Sequence, residues 1–192
     1  EGELARLVFH ELAHQQLYVK NDSMFNESFA TTVEQIGVER WLAAREAQGH
    51  GSAAREAWQR HAPRRTQFIA LLKRHREALQ AVYESPLSDA EKLAAKTATF
   101  EALRRDYAQL RAEWGGYAGY DRWFAQPLTN AHLASVSTYT ELVPAFRALL
   151  AAQGGDLPRF YAQAAHIGAL PRPEREAALA ALAGGPSVAH RA

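Results

Sequence analysis

Apolar residues recur at Leu4, Leu7, Val8, Leu12, Leu17 and Val19, close to the 3.6-residue period of an amphipathic helix. The spacing predicts a helix over 3–19. Lys20-Asn21-Asp22-Ser23 forms a short polar turn. A second helical pattern runs over 24–48 and stops at Gly49-His50-Gly51. A third, basic in character, covers 52–83 and ends at Glu84-Ser85-Pro86. Ser88-Asp89-Ala90-Glu91 has the form of a capping box, in which the Ser and Glu side chains satisfy backbone N–H groups reciprocally. It starts a fourth helix that reaches Glu113. The short connection between the third and fourth helices predicts an antiparallel hairpin.

The periodicity then breaks. WGGYAGYDRWF, 114–124, carries glycines among Trp114, Tyr117, Tyr120, Trp123 and Phe124. Glycines permit motion and aromatics line pockets, so a lid is one reading. A kinked connection plugged by its aromatics is the reading we favour. Pro127 and Asn130 lie in an expected irregular segment, followed by helices over 139–152 and 157–169. Pro171 and Pro173 precede a last short helix, and 185–192 is expected to be a loose tail. The pattern gives an all-α fold: a helical hairpin, a long antiparallel hairpin and shorter C-terminal helices, in one domain over 1–184. It contains no strand signal and no repeat.

Composition narrows the chemistry. The 192 residues carry 22 basic and 21 acidic side chains, a net charge of +1, which gives no reason to expect nucleic acid as a partner. The run Arg64, Arg65, Lys73, Arg74, His75, Arg76 is expected to be a solvated face. No apolar run is long enough to span a bilayer. Cysteine is absent, so a metal would have to sit on His, Glu, Asp or backbone oxygen.

HELAH at 10–14 meets that condition. Residues four apart share a helix face, so His10 and His14 can offer their rings to one ion. In HExxH, two neutral imidazoles bind zinc, and the carboxylate between them, here Glu11, takes a proton from the zinc-bound water. Chance would place the motif in such a chain roughly 3 times in 100. Val8, Phe9, Leu12 and Ala13 give it apolar surroundings, as a semi-buried zinc helix requires; two surface histidines on an ordinary helix are the plain alternative. Catalytic zinc takes three protein ligands and keeps one position open. The metzincin third His is absent, because Lys20 and Leu17 stand where that motif has His and Gly. Asp22, Glu27 and Glu34 remain. With the turn centred near Asn21-Asp22, antiparallel pairing sets Glu27 level with His14. Glu34, seven residues on and on the same face, is then level with His10. We therefore expect Glu27 as third ligand and Glu34 as acceptor for a ligating His N–H. Asp22 is assigned to the turn, and Ser23 or Asn26 to the cap of the second helix.

HELAH followed by NESFATTVE resembles the gluzincin metallopeptidases, whose second motif is an Asn-Glu pair on the next helix. The aminopeptidase N-like branch reads NEGFA there, with a further Glu seven residues after the ligand. Asn26-Glu27-Ser28-Phe29-Ala30 and Glu34 match, with Ser28 in place of Gly. Only twelve residues separate His14 from Glu27, fewer than in those families. HELAHQ, LYVKND, FNESFAT, GVERWL, YDRWF and NAHLASVSTY are more closely similar to the bacterial "putative aminopeptidase" family of compact gluzincins. That resemblance is specific over 5–43 and looser over 114–165.

The resemblance implies a zinc peptidase with one Zn2+ per chain on His10, His14 and Glu27. It implies Glu11 as the base, with Asn26 and Glu34 behind the ligands. The substrate would be a peptide or protein. The location would be outside the cytoplasm of a Gram-negative bacterium, periplasmic or lipid-anchored. It also implies the helical half of a gluzincin-like enzyme, with a substrate-aligning strand before the HExxH helix. Since the chain opens on Glu1 within a helical pattern, we expect an N-terminal part upstream of it and weak activity from this part alone. A gluzincin needs a donor to the oxyanion that forms on the scissile carbonyl, commonly Tyr or His. His132 or Tyr139 is expected to supply it, with Asn130 positioning the peptide backbone; turn formation and packing are their alternative roles. His50, His61, His75, His166 and His190 are expected at the surface or its boundary. The expected activity is zinc-dependent peptide hydrolysis, by an aminopeptidase. An endopeptidase of the same superfamily, or a zinc-binding helical interaction module without catalysis, is the alternative.

Overall fold

Helix α1 spans Gly2–Gln16 and α2 spans Ser23–Ala47, joined by an extended Leu17 and a turn with Asn21 at a φ of 61°. The computed structural model describes residues 1–50 and 52–184, the side chains of Ser52 and Ser137 excepted. The tail 185–192, with His190, lies outside the described residues. Helices α3 (Ser52–Glu84), α4 (Asp89–Glu113), α5 (Asp121–Phe124), α6 (Asn130–Thr140), α7 (Val143–Ala152), α8 (Leu157–Ala169) and α9 (Arg172–Gly184) follow. Among the described residues there is no strand, and the fold is all-α. None of these helices is long and apolar enough to cross a membrane.

The chain divides into two units. The first takes Glu1–Trp58 and Thr138–Ala192, and the second takes Gln59–Ser137. The boundary in α3 falls where Pro63, lacking an N–H, leaves the Gln59 carbonyl without its helical donor.

In the first unit, four phenylalanines fix α2 against the C-terminal helices. Phe25, Phe29, Phe146 and Phe160 are fully buried. Phe146 meets Phe25 edge-on at 5.1 Å and Phe29 at 5.6 Å, and Phe29 stacks with Phe160 at 5.8 Å. Such pairs add about 0.5–1.5 kcal/mol each beyond burial. Phe25 and Phe29 flank Glu27 in sequence, so the core anchors the stretch of α2 that carries it. Asp22 caps α2 through Phe25 N–H at 3.0 Å, not Ser23 or Asn26. Its other oxygen takes Arg175 of α9 at 2.8 and 2.9 Å, and the same guanidinium donates to the carbonyls of Gly168 and Leu170.

The second unit is built on the expected hairpin. Gln67 accepts the Trp114 indole N–H at 2.7 Å, and His75 bonds Asp106 at 2.9 Å. Both contacts fit one antiparallel register of α3 on α4. His75 is therefore buried, not at the surface, and Arg74 beside it shares Asp106 at 2.6 Å. The capping box forms as expected, with Ser88 N–H donating to Glu91 at 2.8 Å. The aromatics of 114–124 pack inward: Tyr120 stacks on Phe68 and Phe124 on Tyr107, each at 3.9 Å.

Two expectations need correction. The helix over 139–152 is two helices. Pro144 lacks an N–H and its ring would clash with the carbonyl of Thr140, so α6 ends there and α7 restarts with Pro144 in its first turn. Tyr139 consequently lies in the last turn of α6, and the segment from Asn130 is helical, not irregular. The apolar surroundings expected around the motif are only partly buried: Ala13 is buried, but Val8 and Leu12 are exposed, as are Leu4 and Leu7, Leu4 by 66%. The face turned to α2 is Arg6, His10, Ala13 and Leu17, also at helical spacing. Its polar members meet Glu27 and Glu34 on α2.

Candidate metal centre

His10 Nε2 lies 3.1 Å from Glu27 Oε2, and His14 Nε2 lies 3.7 Å from the same oxygen. The two rings stand 5.0 Å apart, nearly perpendicular. Two zinc bonds of about 2.0–2.1 Å at a tetrahedral angle separate their ligand atoms by about 3.3 Å, within the range of these two distances. His10, His14 and Glu27 form the group of His and acidic side chains, among the described residues, that could hold a metal ion. His14 Nδ1 is buried without a hydrogen-bond partner, which leaves the ring's orientation to its Nε2 side. The donor set, two imidazoles and one carboxylate, suits zinc and other borderline divalent ions.

The far side of His10 is held. Its Nδ1 lies 3.0 Å from Glu34 Oε2, and Glu34 is 1% exposed. With Glu34 accepting, Nδ1 carries the proton and Nε2 is left with its lone pair toward Glu27 and His14. The Glu34 hydrogen bond, helped by Glu27 and opposed by burial, raises the imidazole above its usual pKa. Glu34 therefore sits level with His10, and Glu27 within reach of both histidines.

The connection from α1 to α2 is short because one side chain braces it. Asn26, almost fully buried, accepts Val19 N–H and donates to the Val19 carbonyl, both at 2.8 Å. The amide imitates a strand pairing at Val19, two residues beyond the extended Leu17, and α1 ends at Gln16, short of the expected residue 19. Asn26 thus supports its neighbour Glu27 through the backbone. A second close approach sets the distance between the helices. A Cβ on Gly37 of α2 would stand 2.7 Å from Cγ of Phe9, so glycine lets α1 lie against α2 beside His10.

Tyr139 reaches the same place. Its ring lies 6.1 Å from the His10 ring. Burial foremost, then the negative charges of Glu27 and Glu11, raise its phenol pKa, so it stays protonated and able to donate. Ser28 ties this segment to α2. Its hydroxyl donates to the Thr138 carbonyl and accepts Leu142 N–H, each at 3.2 Å. The Ser in place of the expected Gly thus holds the backbone on both sides of Tyr139. Glu11 is exposed on α1, between the two histidines in sequence.

Asn130 and His132 belong to the Gln59–Ser137 unit, and their partners lie within it. Asn130 donates to the Tyr83 hydroxyl at 2.9 Å. His132 Nδ1 accepts Thr129 N–H at 3.1 Å, and its ring meets Trp123 edge-on. Sequence reasoning missed three contributors: Arg6, Gly37 and the bridging role of Ser28. Arg6 had a signal, since it lies one turn before His10 on the same helical face.

A family described as "putative aminopeptidase" matches residues 1–179. The chain belongs to that family. The match spans α1 through most of α9, both units included, and the family's description points to peptidase activity. No curated protein and no solved structure matches the chain.

Proposed function

We propose that the protein is a metal-dependent peptidase, an aminopeptidase by its family, with zinc held by His10, His14 and Glu27. The observation that carries the reading is the convergence of two Nε2 atoms and one carboxylate oxygen at spacings near those of a tetrahedral zinc site. The bound ion would supply Lewis acidity, polarising the scissile carbonyl and making water easier to deprotonate. Glu11 takes the proton of the attacking water and returns it to the leaving amine. Tyr139 donates its phenolic hydrogen to the carbonyl oxygen as negative charge develops there. Its placement beside His10 and its raised pKa support that role, whereas His132 Nδ1 is engaged by Thr129. Glu34 holds His10 in the ligating tautomer throughout.

The test is metal content per chain by mass spectrometry, with peptide cleavage measured on the same samples. Glu27→Ala should lose the metal. Glu11→Gln should keep it and lose cleavage. Metal unaffected by Glu27→Ala would overturn the ligand set. Metal retained with full cleavage in Glu11→Gln would overturn the role of the base.

A further inference from the structure

Behind the candidate ligands lies a side chain that the peptidase chemistry itself does not use. Arg6 stands one turn before His10 on α1, and its NH1 donates to Glu34 Oε2 at 2.9 Å. That oxygen is the one 3.0 Å from His10 Nδ1, so two donors from α1 converge on a single acceptor of α2. The Arg6 Nε donates to Glu3 Oε2 at 3.1 Å, which fixes the plane of the guanidinium from the other side. Glu34 is among the largest fully buried side chains of the protein.

We propose that Arg6 is a positioning residue for the metal centre: by clamping Glu34 Oε2 it fixes the direction from which His10 Nδ1 is held, and so aims His10 Nε2 at the metal position. The inference rests on the ligand set proposed above. Its physical basis is geometric. A carboxylate offers several lone-pair directions on two oxygens, and one imidazole N–H does not choose among them. A guanidinium is planar, with donors in a fixed fork, so it selects one oxygen and one direction. An ordinary buried ion pair would stabilise or destabilise the hairpin and do nothing more. A positioning pair also sets metal affinity and ligand geometry.

The two roles separate in the metal-loaded full chain. Zinc affinity is measured by competition with a chromophoric chelator, and ligand geometry from the visible absorption of the cobalt-substituted protein. Partners that orient ligands typically contribute 10–100-fold to metal affinity. Arg6→Met should therefore weaken zinc binding about tenfold or more and shift the cobalt bands. Arg6→Lys, which keeps a point charge but not the fork, should recover part of the affinity. In a Glu34→Gln background, Arg6→Met should cause little further loss, because Arg6 acts through Glu34. If Arg6→Met does not fold, Arg6→Lys still decides, since parent-like affinity and bands with a lysine there would overturn the inference. An unchanged zinc affinity and cobalt spectrum in folded Arg6→Met would overturn it too, as would full additivity with Glu34→Gln. Failure of the underlying ligand set is distinguishable: there the parent itself binds no metal, or Glu27→Ala binds it as well as the parent.

Discussion

Replacing Gly37 by alanine tests how the two ligand-bearing helices are spaced. In an open helix the change should stabilise by about 1 kcal/mol, since glycine is the poorer helix former by that amount. At position 37 the new Cβ would meet Phe9 Cγ at 2.7 Å, Cδ2 at 2.8 Å and Cδ1 at 3.1 Å. Ordinary contact begins near 3.4 Å, so α1 and α2 would have to part by roughly 0.7 Å, or Phe9 would have to leave its rotamer. Overpacking of this kind costs about 1–3 kcal/mol. The net effect is a loss of about 1 kcal/mol, opposite in sign to the propensity effect. The metal consequence is larger, because metal–ligand distances tolerate only about 0.2 Å. Zinc affinity should fall at least about tenfold. The assay is a double-mutant cycle with Phe9→Ala, read by denaturant unfolding and zinc competition. With the ring removed, Gly37→Ala should become stabilising. The same stability change in both backgrounds, or stabilisation in the parent, would refute the idea that this contact sets the helix spacing.

Three further outcomes follow from other contacts. His10 has a pKa raised above its ordinary 6.5, by Glu34 foremost, so the metal-free protein gains stability from the imidazolium at low pH and loses it as pH rises through the raised value. Metal must displace that proton, so zinc affinity should fall as pH drops through a midpoint above 6.5; titration of affinity against pH checks this, and a flat profile through the neutral range contradicts it. Ser28→Ala removes the bridge to Thr138 and Leu142; it should cost about 1–3 kcal/mol in unfolding free energy and slow peptide cleavage while metal content stays at the parent level. Arg175→Met leaves the largely buried Asp22 without its guanidinium and should cost about 2–4 kcal/mol, measured by urea unfolding; a loss under about 1 kcal/mol would remove the clamp from the account of stability.

Much of the site could be read from spacing, because spacing on a helix is geometry. His10 and His14 had to share a face, and a hairpin turning near Asn21-Asp22 had to bring Glu27 and Glu34 to their heights. The start of α4 was legible for a similar reason: a capping box is local chemistry. What periodicity could not show was which stripe of α1 faces α2. Leu4, Val8 and Leu12 outrank Arg6, His10 and Ala13 in hydrophobicity, yet Glu27 and Glu34 give the polar stripe its partners, and that pairing is tertiary. The length of α6 was hidden because Asn130 reads as a turn residue and Pro144 acts one turn beyond its own position. The split of the chain at Trp58 and Thr138 left no mark in composition, since both units draw on the same mixture of alanine, leucine, arginine and aromatics.

The division of the chain also carries a schedule for synthesis. Gln59–Ser137 is contiguous, so its core of Phe68, Leu103, Tyr107 and Phe124 can assemble soon after those residues leave the ribosome. The unit bearing His10 and Glu27 is interrupted, and it must wait for Phe146, Phe160 and Arg175. At roughly 5–20 residues per second, that wait lasts several seconds. During it the nascent α1 and α2 carry their ligands without the aromatic core that anchors them. Within this unit the helices made first are therefore the last to mature, and a metal-loaded centre becomes a late checkpoint on whether translation has passed α9.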